Sequence, residues 1–173
     1  MNLTLAPQGD TLTALKGWLR TQFASIAAGW DTEHNADGTH DWGWTTPAFD
    51  ANRFQGDGTI TWTVASADRI FEEYGMQGDL MKWTLQLAAT TTGGTASTEL
   101  RVTLPDGYRL TARAFLPAGY ASDNSSDPGV VFLEGATGAR YLAVKCQDGG
   151  TWSNASTNAT YLYFSVWLRV TRD

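Results

Sequence analysis

The residues of this 173-residue chain that could do chemistry fall in four places. The first is EHNADGTHD (33–41), which holds both histidines, His34 and His40, around Asp37-Gly38, with Asp41 next. Imidazole and carboxylate are metal ligands by type, yet the spacing matches no closed zinc motif. Three copies on a symmetry axis would be needed to build a site there, so no metal is assigned. Asp37-Gly38 is a strong turn signal, and Asn35, Asp37 and Thr39 can bond neighbouring backbone groups. The second place is Trp152, isolated in the polar run 147–159 (QDGGTWSNASTNA). An indole ringed by amides and carboxylates suits a sugar, its face to the pyranose and the polar groups to the hydroxyls. Asn154, with Tyr120 and Asp123 from the polar run 118–128 (AGYASDNSSDP), are its candidate glycan-binding companions. The opposing reading folds Trp152 back to plug one end of the domain. The third place is Glu72-Glu73. Neighbours in a strand point to opposite faces, so they cannot form the facing carboxyl pair of a glycosidase. The fourth is Cys146, alone in the chain and within a strand-like run, YLAVKC, which reads as a buried thiol. With both histidines in one segment and no G-x-S-x-G motif, no catalytic residue and no cofactor is expected.

Composition bounds the partners. Net charge is −6, with a pI near 4.8. Binding phosphate needs a basic face, so nucleic acid is not an expected partner. No segment reaches the roughly 18 apolar residues of a membrane span, and MNLTLAPQGD lacks the pattern of a signal peptide. The expectation is therefore synthesis in a cytosol, and the sequons at Asn2, Asn124, Asn154 and Asn158 read as products of a Ser/Thr/Asn-rich composition.

Three elements must position these residues. Asp10 or Thr11 can cap a helix that runs to about Ala28, where Gly29 stops it. Leu12, Leu15, Leu19 and Ile26, with Gln22 as a polar layer, follow a heptad seam, which reads as an oligomerisation surface. The competing reading lays the same helix on the chain's own β-domain, and the flanking Trp18 and Phe23 would widen its buried face. Residues 29–58 read as a neck, with six acidic residues against Arg53 alone. Trp42 and Trp44, one glycine apart, share a side if extended and read as anchors docking the neck, with sugar stacking as the other possibility. From 59 to 173 the chain alternates apolar and polar residues between turn signals, giving about eight strands.

Several of these segments together carry a resemblance. EHNADGTHD, then FQGDGTITWTV (54–64) and TELRVTLPDGY (98–108), resembles the small tail-fibre and virion-appendage proteins of tailed bacteriophages. The likeness covers about residues 28–65 and 98–108. It departs after His40, where that family continues with Gly or Ala and this chain has Asp41-Trp42-Gly43-Trp44. The resemblance implies a virion location, a homotrimer, contacts with other virion structural proteins and a jelly-roll-like distal domain. It carries over no catalytic residue.

The expected fold is thus mainly β: a jelly-roll-like sandwich behind an N-terminal helix (1–28) and a neck (29–58). Individual strands are predicted at 59–66, 69–74, 81–89, 99–104, 108–116, 129–133, 140–145 and 160–170. The set Met81, Trp83, Leu85, Leu87 and Ala89 should share one face, and Leu162, Phe164, Val166, Leu168 and Val170 another. On the reverse of that last strand, Tyr161, Tyr163 and Trp167 read as a second core layer or as a contact between protomers. The expected function is a phage structural protein that displays its sandwich for attachment to a host-surface glycan or protein. The alternative is a free carbohydrate-binding module.

Overall fold

The computed structural model describes residues 18–25, 43–123 and 126–172, and the chain divides into two units between Trp42 and Gly43. In the first unit, residues 18–25 form a helix, α1, with Gln22 buried and Leu19 and Phe23 exposed. The other seam residues, Leu12, Leu15 and Ile26, lie outside the described residues, as do His34, Asp37, Gly38, His40 and Trp42.

The second unit is built of strands, as the alternation predicts. They are β1 (Phe54–Gly56), β2 (Ile60–Thr63), β3 (Arg69–Gln77), β4 (Leu80–Gly94), β5 (Leu100–Thr103), β6 (Tyr108–Leu110), β7 (Ala114–Asp123), β8 (Ser126–Gly135), β9 (Tyr141–Cys146) and β10 (Ser156–Arg172). They make one antiparallel sheet along the path β1-β5-β9-β8-β7-β10-β4-β2. Two positions in that path are shared. β2 and β3 both pair with β4, at its opposite ends, and β6 and β7 both pair with β10. Ten strands therefore fill eight positions, and two of the ten escape the sequence count: β1 lies in the segment read as neck, and β6 and β7 read as one strand.

The ends of the path meet. β1 and β2 are consecutive in the chain, joined by a turn in which Asp57 accepts bonds from the Thr59 amide and hydroxyl at 3.3 and 3.1 Å. A Cβ on Gly56 would lie 1.8 Å from the Ile60 carbonyl oxygen, so only glycine allows this approach. The sheet thus curls nearly to closure around one core. That core draws on almost every strand, including Trp62, Met81, Trp83, Leu85, Leu100, Val102, Leu133, Leu142, Val144, Phe164 and Leu168. Trp83 meets Phe164 edge to face at 4.9 Å.

Several expectations are corrected. The β-unit begins at Gly43, not 59: Thr45 pairs with Tyr74 by two backbone bonds of 2.8 and 3.0 Å, and β1 lies inside the segment read as neck. Ala89 does not share the face of Leu87. It sits at φ 58°, and a bulge there passes the inward phase to Thr90 and Thr92. The polar run 118–128 is mostly strand, because β7 and β8 continue as a long hairpin to the pair Asp123↔Ser126. The run 129–133, whose unbroken apolar character suits a strand covered on both faces, is instead part of β8 with Val130 exposed. Finally, 108–116 is not one strand: β6 pairs with β10, and a bend at 111–112 separates it from β7.

Candidate functional site

β10 is the longest strand, and its strict alternation sends Leu162, Phe164, Val166, Leu168 and Val170 inward. The same geometry turns Tyr161, Tyr163 and Trp167 outward, where they are 44–48% exposed. The sheet register extends this outer face across five strands. Tyr163 stands opposite Tyr120 on β7 and Gln86 on β4. Tyr120 in turn faces Val130 on β8, and Gln86 faces Phe71 on β3. Phe71, Gln86, Tyr163, Tyr120 and Val130 thus form one row across the strands. Directly opposed side chains lie about 5 Å apart at Cβ, close enough to act as one surface. No member carries a charge, and the four apolar or aromatic members are all more than two-fifths exposed.

Backbone detail sets this row in place. A Cβ on Gly119 would lie 2.7 Å from Val131 Cγ2 and 2.9 Å from the Tyr163 carbonyl oxygen. Glycine there lets β7 press against its neighbours beside Tyr120. Below the row, Thr84 and Ser165 join their hydroxyls at 2.8 Å, and the Lys82 ammonium lies 5.7 Å from the centre of the Trp167 ring. Phe115 and Phe132 stack at 5.1 Å. Charges share this side of the sheet, Lys82 and Glu73 among them, and others stand in pairs. Glu134 accepts bonds from Arg113 at 2.8 Å and Lys145 at 2.9 Å, and these hold its carboxyl below the usual range, Lys145 first. Arg169 meets Asp79 at 2.7 Å.

The second-core-layer reading of Tyr161, Tyr163 and Trp167 fails, because these side chains are exposed. The glycan set assembled from sequence also comes apart. Trp152 is 1% exposed, its ring N–H donates to the Val144 carbonyl at 3.1 Å, and its amide bonds Ser97. It plugs the domain. Asp123 is buried, accepting bonds from the Ser153 amide and the Thr160 hydroxyl. Asn154 is exposed, but its side chain donates to the Gly94 carbonyl at 3.0 Å. Tyr120 is exposed as well, but on a different surface, the outer row. Trp44 is exposed rather than a buried anchor. Thr45, the buried Pro47 and Phe49, packed against the core, hold that segment instead.

Glu72 and Glu73 do point apart, and Glu72 is committed. Its carboxylate accepts from both terminal guanidinium nitrogens of Arg53, at 3.1 and 2.6 Å, and from the Trp83 ring N–H at 3.2 Å. Arg69 approaches it at 3.4 Å and also donates to the Pro47 carbonyl at 2.7 Å. Arg53 makes two further bonds of 3.1 Å to the Thr103 carbonyl. This network rivets the segment before β1 to β3 and β5. Cys146 is buried, and burial pushes its thiol up to about 11.

The outer row escaped sequence reading at Phe71, Gln86 and Val130. Ile70 and Phe71 are both exposed, because a register shift follows Arg69 and breaks the alternation. The three aromatics on β10 were the usable signal. Comparison with known proteins gave no matching family model, no matching curated protein and no matching solved structure.

Proposed function

We propose that the chain is a non-catalytic structural part of a bacteriophage particle, a homotrimer assembled through its N-terminal helix that displays the β-domain for attachment to a host surface. The observation that carries this reading is the uncharged aromatic row on the outer sheet face. A patch of this kind on a domain whose core is already complete marks a surface made for contact. The phage context comes from the resemblance of 33–41, 54–64 and 98–108. The latter two segments lie side by side in the fold, with Phe54 paired to Val102. A free carbohydrate-binding module stacking sugar on Trp152 loses its ring to the core.

Immunogold electron microscopy tests the reading, using antibodies raised against the β-domain on particles released from the lysed host. Label at a fixed place on the particle is the expected result. Label absent from particles and present only in the soluble fraction would overturn it.

A further inference from the structure

One end of the core is polar. Thr90 and Thr92 on β4, Ser156 and Thr160 on β10, and Asp123 at the end of β7 are all buried. Thr90 is satisfied: its Oγ1 accepts the Trp62 ring N–H at 2.9 Å and donates to the Thr160 carbonyl at 3.0 Å. Asp123 accepts the Ser153 amide and the Thr160 hydroxyl, the latter at 2.9 Å, and pairs with no cationic side chain among the described residues. Thr160 Oγ1 also lies 2.8 Å from Ser156 Oγ. Among the described residues, Thr92 Oγ1 is the one buried side-chain nitrogen or oxygen with no hydrogen-bond partner.

Counting hydrogens gives these contacts a direction. A hydroxyl has one hydrogen, and a carboxylate only accepts. The Thr160 hydrogen therefore goes to Asp123, and Ser156 donates to Thr160. Ser156 Oγ then has lone pairs but no hydrogen left to give. Thr92 is its direct cross-strand partner in the β4–β10 register. Such opposed side chains have Cβ atoms about 5 Å apart, yet these two hydroxyls do not bond each other. Leaving a buried hydroxyl unpartnered is costly, and ordered water is the usual remedy where polar groups cluster. We infer that a single buried water bridges Thr92 Oγ1 and Ser156 Oγ, accepting from the first and donating to the second. Every hydroxyl hydrogen from Thr92 through the water, Ser156 and Thr160 then points towards the Asp123 carboxylate. Bonds aligned in this way polarise one another and help offset the burial of a charge with no cation beside it. The register slips between Ser156 and Thr160, and a bulge leaves backbone groups outside the ladder, the further partner a buried water usually takes. The water thus joins β4 to β10 and, through Asp123, to the end of β7 and to Ser153, next to the Trp152 plug. This inference does not depend on the particle role.

A high-resolution crystal structure of the full chain and thermal melts of Thr92→Val test it. A density peak within hydrogen-bond distance of both Thr92 Oγ1 and Ser156 Oγ is expected. Valine keeps the branched shape but loses the hydroxyl that holds the water, so it should lower the melting midpoint by about 2–4 °C. A hydroxyl with no partner would behave in the opposite way, since removing it removes only a desolvation cost. An unchanged or raised midpoint therefore overturns the inference, as does a map with no peak between the two oxygens. A peak ringed by about six oxygens at metal-like distances also overturns it, making the cluster a cation site. If the valine variant does not fold, the wild-type map decides alone.

Discussion

At the scale of single residues, Glu72 shows how a charge persists inside a β-domain. Its side chain has no exposed surface, so the desolvation cost must be offset by partners, and Arg53, Arg69 and Trp83 supply them. Removing one partner leaves the other charge stranded. Glu72→Ala should therefore lower unfolding free energy by about 3–5 kcal/mol, whereas the double change Arg53→Met with Glu72→Leu should cost less. Urea denaturation of the three proteins measures both, and a near-neutral Glu72→Ala would contradict the account. None of this was legible beforehand. Arg53 looked like a stray cation in an acidic segment, and its partner lies 19 residues away on another strand. Tyr74 was equally hidden. Burial, then its bond to Asp106, pushes its hydroxyl up to about 12. The folded state thus holds this proton more tightly than the unfolded chain, whose tyrosines ionise near 10. The associated stability is complete below about pH 10 and is lost as pH rises from about 10 through 12. In an alkaline titration of phenolate absorbance, one of the six tyrosines should ionise late, and Tyr74→Phe should abolish that late step. All tyrosines ionising together in the folded wild type would contradict it.

At the scale of elements, period-2 alternation was readable wherever a strand runs without interruption, as β10 does from Thr160 to Val170. It failed where the backbone slips by one residue. β4 reads as a continuous strand, but Ala89 adopts left-handed geometry, and two threonines take the inward places beyond it. Nothing in the residue types announces that bulge, since glycine is its usual occupant. Ala89 therefore bears a backbone strain that glycine would relieve. Ala89→Gly should raise stability by about 1 kcal/mol, against the usual loss when glycine enters a strand. Thermal melts of the two proteins decide this, and destabilisation by the glycine would argue against the bulge geometry. Trp152 shows a second limit of element reading. Its polar neighbours made it look like a loop-tip ring, but the backbone pairing of Trp152 with Ser97 turns the indole inward.

At the scale of the whole molecule, the mainly β character was legible because alternation is a property of many residues at once and survives local slips. The near-closure of the sheet was not, because it depends on long-range pairings such as β1 with β5 and on the Gly56 approach. The candidate face was half legible. Its β10 members follow from alternation, while Tyr120, Gln86 and Phe71 join it only through register. A complete core on one side and, on the other, an aromatic row with no charged member suit a protein that works by contact and assembly. The most direct measurement is the solution mass by light scattering, for the full chain and for residues 43–173. That piece carries its own core and sheet. The account predicts a full-length mass three times the 18.8 kDa of one chain, and a monomer for the piece. A monomeric full-length chain would contradict it, as would a trimer that persists after residues 1–42 are removed.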